Sequence, residues 1–195
     1  MRTLLTRLSA PSLLVMLAAV SLGGARSTQA APVTYVAHLN GASESPPNAS
    51  PGTGFTQVDI DAVAHTMRVQ VTFSGLTGTT TASHIHAPTA VAGTGTAGVA
   101  TTTPTFAGFP LGVTSGTYDN TLDMTQSSSY NPSYLSAHGG TTAQAESDLF
   151  QSIADGKAYL NIHTQTFGGG EIRGFLTSVT PTLNATWGRI KRLYH

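Results

Sequence analysis

The segment that most constrains the fold is Tyr159–Leu176, YLNIHTQTFGGGEIRGFL, in which two short alternating runs flank three consecutive glycines. Apolar residues occupy every second position before the glycines, at Leu160 and Ile162, and the alternation resumes after them with Ile172, Gly174 and Leu176. Period-two alternation predicts β-strands that bury one face, and the glycine-rich connection predicts a β-hairpin. The segment therefore favours a sheet protein, with polar side chains on the face opposite the core.

The polar side chains of this hairpin carry ionisable groups in a chain that has few of them. They are His163, Glu171 and Arg173. Glu171 and Arg173 lie two positions apart on one predicted strand, where they could form an exposed ion pair worth only ~0–1 kcal/mol. A structural role for both residues is therefore one interpretation of the pattern.

A second segment, Ala82–Pro88 (ASHIHAP), repeats this organisation. On a strand, Ile85 would face one side while His84 and His86 face the other. Two histidines at i and i+2, joined by His163 from another strand, could hold Zn²⁺ or Cu²⁺ with an open coordination position. The alternative is a hydrogen-bonded network in which the imidazoles fix the positions of loops.

The N-terminus has the pattern of a secretory signal peptide. Arg2 and Arg7 precede a short apolar run at Leu13–Leu22, and small residues follow it. We therefore expect residues 1–31 to be removed on export. The chain contains no cysteine, so neither disulfides nor thiolate metal sites contribute to this protein.

The remaining chain divides into a domain at 32–178 and a linker with a basic, aromatic tail at 179–195. All nine Asp and Glu residues lie in the domain, against Arg68, Lys157 and Arg173. A net acidic domain argues against nucleic acid as a partner. After the predicted leader, no apolar run is long enough for a transmembrane segment.

Short strand candidates separated by glycine and proline turns predict an all-β fold. We expect an antiparallel β-sandwich or Greek-key barrel of about seven to nine strands. One short helix is predicted at residues 142–155, capped by Thr141 with Gln144 and ended by Gly156. Val99–Thr103 is expected to be a short strand, and Gln126–Gly140 a surface loop.

Four segments in sequence order resemble the CHRD family, the chordin-type domain also found in many secreted bacterial proteins. They are LNGASESPP at Leu39–Pro47, FSGLTG at Phe73–Gly78, ASHIHAP at Ala82–Pro88, and AYLNIHTQTFGGGEIRGFL at Ala158–Leu176. The resemblance implies a secreted, β-rich, bacterial module without an assigned enzymatic activity. It also singles out the family-motif polar residues Glu44, Asn161, Glu171 and Arg173.

These observations predict a secreted, non-catalytic binding or structural module of the cell envelope or extracellular matrix. Its partner would be an extracellular protein or glycan, and no catalytic residues are assigned. The alternative is a zinc or copper protein that uses His84, His86 and His163, with redox activity if the metal is copper.

Overall fold

The computed structural model describes residues 31–179. The predicted signal peptide and the C-terminal tail fall almost entirely outside this range. Within it, every helix is too short or too polar to cross a bilayer.

Eight strands and two α-helices make up the domain, in agreement with the predicted all-β class. The strands are β1 Val33–Asn40, β2 Thr53–Asp61, β3 Thr66–Ser74, β4 Thr80–His86, β5 Gly116–Asp123, β6 Tyr159–Thr164, β7 Ile172–Phe175 and β8 Thr177–Ser178. The helices are α1 Pro132–Ala137 and α2 Thr142–Ala154. Two single 3₁₀ turns lie at Gly41–Ser43 and Ser127–Ser129.

All strands belong to one antiparallel sheet in the order β4-β6-β7-β1-β2-β3-β5, with β8 paired to β1. The sheet curls into a half-barrel. At one end, the segment that leads into β5 hydrogen-bonds to the start of β4, through Thr80 N to Val113 O and Gly112 N to Thr80 O, both at 2.8 Å. The single curled sheet is closer to the barrel than to the two-sheet sandwich.

The interior of the half-barrel is filled by the alternating apolar residues of the strands. In β3, Met67, Val69 and Val71 are almost fully buried while the intervening residues face outward. Helix α2 adds Leu149 and Ile153, both with no exposed surface. The alternation in the sequence therefore identified the core face correctly.

Helix α2 confirms the predicted helix and its N-cap. The Thr141 side chain accepts a hydrogen bond from the Gln144 backbone N–H at 3.3 Å. The helix ends at Ala154, and Gly156 adopts a positive φ of 67° just beyond it, as expected at a helix C-terminus.

Two predictions for the connections were wrong. Gln126–Gly140 is not only a loop, because it contains α1, whose N-cap Asn131 accepts from Ser133 N. A helix of six residues is too short to show a 3.6-residue period, so the sequence pattern could not reveal it. Val99–Thr103 forms two isolated bridges rather than a strand, through Val99 to His86 and Thr101 to Tyr130.

The polar face of the β6–β7 hairpin is buried, contrary to the sequence expectation. Asn161 is 2% exposed and Arg173 4%. Segments from the loop between β1 and β2 and from the β4–β5 connection cover this face, since Arg173 donates hydrogen bonds to Ser43 O and Gly95 O. The face that alternation predicted to be wet is thus a second, polar interior.

Candidate metal centre

The three histidines singled out in the sequence converge inside this polar interior. Strands β4 and β6 are antiparallel neighbours that pair His84 with Asn161 and Ala82 with His163. The ring centroids are 5.7 Å apart for His84 and His86, 5.1 Å for His84 and His163, and 5.7 Å for His86 and His163. One ring nitrogen from each residue lies within 4.8 Å of the other two.

Each imidazole is oriented by one backbone carbonyl from a covering loop. The pairs are His84 Nε2 with Pro104 O at 2.6 Å, His86 Nδ1 with Ala97 O at 2.9 Å, and His163 Nδ1 with Gly168 O at 3.0 Å. Because a carbonyl oxygen can only accept, each of these nitrogens carries the proton. The tautomer of every ring is therefore determined, and the opposite nitrogen of each neutral ring is a lone-pair donor to a metal.

The opposite nitrogens are buried and have no hydrogen-bond partner in the described part of the chain. They are His84 Nδ1, His86 Nε2 and His163 Nε2. Burial lowers the pKa of all three rings, to about 4 for His86. At neutral pH the rings are uncharged, and three unprotonated nitrogens lie close together.

This arrangement fits metal ligation in its chemistry and nearly fits in its dimensions. Imidazole rings that bind metals usually donate their other N–H to a carbonyl or carboxylate, as all three rings do here. Three nitrogens bonded to a metal at about 2.0 Å in one plane lie about 3.5 Å apart. The separations of the ring nitrogens, at most 4.8 Å, exceed this spacing by no more than about 1 Å.

Tyr159 packs against one of the three histidines, and Arg173 packs against Tyr159. The Tyr159 ring stacks on His86 with centroids 4.9 Å apart and planes inclined by 4°. Arg173 lies over the Tyr159 ring, its Cζ 4.6 Å from the centroid. Since β6 lies between β4 and β7, His86 and Arg173 approach Tyr159 from opposite sides.

Glu44 is the buried counterpart of Arg173. Its Oε2 lies 3.7 Å from Arg173 Nε. Burial raises the pKa of Glu44 to about 7, although the charge of Arg173 acts in the opposite direction. Glu44 Oε1 and Asn161 Oδ1 are buried without a hydrogen-bond partner among residues 31–179. Asn161 is the register partner of Arg173 across β6 and β7, so both motif residues lie beside Arg173 in the buried polar interior.

Glu171 makes a separate set of contacts and forms no ion pair with Arg173. It has no exposed surface, and it accepts hydrogen bonds from four donors: Ser50 Oγ, Thr77 N, Gly78 N and Thr164 Oγ1. Burial raises the pKa of Glu171, but these bonds outweigh it and hold the pKa below its ordinary value. The exposed Glu171–Arg173 pair considered from the sequence is therefore wrong. Through these hydrogen bonds Glu171 connects the β1–β2 loop and the β3–β4 turn to the β6–β7 hairpin.

Comparison with known proteins identifies the family. The model of the CHRD domain matches residues 35–176. The chain belongs to the CHRD domain family. No curated protein and no solved structure matches it. The match includes every residue of the histidine cluster and of the polar network around it.

Sequence reasoning missed two histidine–carboxylate pairs elsewhere in the CHRD domain. His65 Nδ1 lies 3.0 Å from both carboxylate oxygens of Glu146, and His138 Nδ1 lies 2.7 Å from Asp148 Oδ2. Both carboxylates lie on α2, Glu146 81 positions from His65 and Asp148 10 positions from His138. Neither separation matches a strand or helix period, so no spacing pattern predicts the pairs. His38 is exposed on the outer face of β1.

Proposed function

We propose that this CHRD domain is a non-catalytic module that binds one transition-metal ion through His84, His86 and His163. Two observations carry the proposal. One nitrogen of each of the three rings is buried without a hydrogen-bond partner, and each residue has a ring nitrogen within 4.8 Å of a ring nitrogen of the other two. Zinc and copper both accept imidazole ligands. The protein would supply three ligands whose tautomers are already set by backbone carbonyls.

The competing interpretation, a hydrogen-bonded network that fixes the loops, explains one nitrogen of each ring. It leaves the second nitrogen of each ring, an unprotonated acceptor, without a hydrogen-bond donor. A buried polar group without a partner costs about 1–3 kcal/mol. A bound cation would satisfy all three acceptors at once, so metal binding explains both nitrogens of each ring.

The wider role that we propose is extracellular. The pattern of residues 1–31 supports export across a membrane, and the CHRD domain supports a binding or structural role in the envelope or matrix. The partner that we propose there is an extracellular protein or a glycan, and the sequence resemblance supports a bacterial source as part of the same proposal. The burial of the three nitrogens supports a non-catalytic role, because a substrate could not reach the metal directly.

The metal proposal is tested by measuring the metal content of mature protein that is purified without a histidine tag. We expect about one ion per chain after reconstitution with Zn²⁺ or copper, and none in the His84→Ala/His86→Ala double variant. His38→Ala is the matched control, since its imidazole is exposed on the outer face. Circular dichroism confirms that each variant is folded. A wild type that binds neither metal after reconstitution overturns the proposal.

The export proposal has its own test. N-terminal sequencing of the protein recovered outside the producing cell should show cleavage after Ala30 or Ala31. An intact N-terminus on the recovered protein contradicts the signal peptide without affecting the metal centre.

A further inference from the structure

The ligand set of the proposed metal centre is electrically neutral. Among residues 31–179, no Asp or Glu oxygen joins the group formed by His84, His86 and His163, and the chain has no cysteine. Glu44 is not part of this group. Burial raises the pKa of its carboxyl, which lies 3.7 Å from Arg173 Nε, to about 7, so at neutral pH it offsets only part of the Arg173 charge. A metal ion at this centre therefore retains its whole charge in a buried environment, where each additional charge is costly.

A fixed positive charge adds to this cost. The Arg173 guanidinium lies 4.6 Å from the centre of the Tyr159 ring, which stacks directly on His86. Its charge acts against a second positive charge at His86, in the same direction as the effect of burial. A divalent ion is disfavoured by this charge about twice as strongly as a monovalent one, because the repulsion scales with ionic charge.

The geometry also limits the number of ligands. Three nitrogens are available, and all three are buried. Zn²⁺ is usually four-coordinate and tetrahedral, and Cu²⁺ prefers a tetragonal arrangement of at least four ligands. Cu⁺ has a filled d shell, carries a single charge and is stable with three ligands in a plane. Of these three ions, Cu⁺ requires the fewest ligands beyond the three imidazole nitrogens of the centre.

We propose that the metal held at this centre is copper in its monovalent state. This inference rests on the proposed function and names the ion. Oxidation of the bound ion to Cu²⁺ would add a buried charge and require a further ligand, so the centre stabilises the reduced ion. The centre then stores or delivers Cu⁺ rather than cycling between oxidation states. His163 is the one ligand residue that is partly exposed, so the ion would enter from its side.

The test is an anaerobic titration of metal-free protein with Cu⁺ in competition with bicinchoninate, beside titrations with Zn²⁺ and Cu²⁺ against chromophoric chelators. We expect one Cu⁺ per chain, bound more tightly than either Zn²⁺ or Cu²⁺. X-ray absorption should show about three nitrogen ligands, and the complex should remain free of a Cu²⁺ paramagnetic signal during brief exposure to air. His163→Ala should lose the binding, and its partly exposed position makes it the variant least harmful to folding. His38→Ala should keep the binding.

The two levels of the argument fail in different ways. If Zn²⁺ or Cu²⁺ binds more tightly than Cu⁺ and the binding is lost in His163→Ala, the copper inference is overturned and the metal centre stands. If none of the three ions binds to folded wild-type protein, both are overturned. If Cu⁺ binds equally well to wild type and to His163→Ala, the copper lies elsewhere, which also overturns both.

Discussion

The Tyr159 ring lies flat against the His86 imidazole, and its hydroxyl reaches the residue that orients that imidazole. Ala97 O accepts the proton of His86 Nδ1 at 2.9 Å, and Ala97 N donates to the Tyr159 hydroxyl at 3.2 Å. The hydroxyl in turn lies 3.4 Å from Ala97 O. One aromatic side chain therefore positions both the ring of a proposed ligand and the loop that sets its tautomer.

The Tyr159→Phe variant should bind metal more weakly while it keeps its fold. The stacked ring remains, but the loop at Ala97 loses its anchor, and loss of such a supporting contact typically costs 10–100-fold in metal affinity. Tyr118→Phe is the matched control, because its hydroxyl contacts Ala107 O at 3.4 Å in another part of the domain. Competition titration measures both variants. Equal affinity in the two variants would contradict the supporting role of Tyr159.

Glu44 should make the stability of the wild type fall as the pH rises from about 4.5 to about 7. Below pH 4.5 the Glu44 carboxyl is protonated in both the folded and the unfolded chain. Between pH 4.5 and 7 the unfolded chain loses this proton, whereas the folded chain keeps it because burial raises the pKa to about 7. Ionisation therefore favours the unfolded chain in this range. The loss amounts to about 2–3 kcal/mol across this window. Glu44→Gln cannot ionise and should lack the effect.

The measurement is urea unfolding of both proteins at pH 4.5, 5.5 and 7.5. The free energy of unfolding of Glu44→Gln should gain on that of the wild type as the pH rises. All other titrating groups are common to the two proteins, so they cancel in the difference. Parallel pH profiles would show that Glu44 does not keep its proton in the fold.

Glu171→Gln should destabilise the domain by about 2 kcal/mol or more at neutral pH, because buried donors lose a charged acceptor. The donors include the backbone N–H groups of Thr77 and Gly78. Since the folded pKa of Glu171 is depressed, its contribution is present above about pH 4.5 and is lost as the pH falls through the folded value. The difference between variant and wild type should therefore shrink in acid.

Glu146→Gln is the control for this variant. Glu146 is also a buried carboxylate, but its hydrogen-bond partner His65 has a side chain that is 53% exposed, so loss of this contact should cost less than about 1 kcal/mol. Chemical denaturation at pH 7 compares the two variants. An effect of Glu171→Gln no larger than that of Glu146→Gln would rule out the anchoring role of Glu171.

Gly174→Ala should destabilise the domain by about 2–3 kcal/mol, a typical cost of overpacking. A Cβ at this position in β7 would overlap the backbone carbonyl oxygen of His38 in β1, which cannot rotate away. Gly169→Ala is the control, since a Cβ there meets nothing within 4 Å. Thermal unfolding of both variants checks the contrast, and equal melting temperatures would contradict the close approach of β7 to β1.

The strands, the capped helix and the grouping of His84 with His86 could be predicted because each depends on local periodicity. A period of two puts Met67, Val69 and Val71 on one side of β3 whatever the rest of the chain does. The same rule places the two histidines of β4 together. Family resemblance then identified Glu44 and Asn161 as positions of interest before any contact was known.

The environment of the polar face could not be predicted in this way. Alternation shows which side chains share a face, but it does not show what covers that face. The covering segments are loops, in which Ser43, Gly95 and Ala97 supply backbone groups. Loops lack the residue periodicity by which strands and helices are recognised in a sequence. Alternation alone therefore leaves Glu171 and Arg173 as candidates for an exposed pair, although both are buried.

The sequence by itself determined the all-β class, the core faces of β3, β4 and the β6–β7 hairpin, helix α2 and the absence of cysteine from the proposed metal site. Only the tertiary structure decided that β4 and β6 are neighbours and that loops enclose their polar face. Those two facts create the centre, because His84 and His163 lie 79 positions apart in the numbering and become close through sheet pairing. The imidazoles are buried by loops that are distant from them in the chain, and this burial removes water from their unprotonated nitrogens. Local sequence patterns carry no information about such long-range contacts.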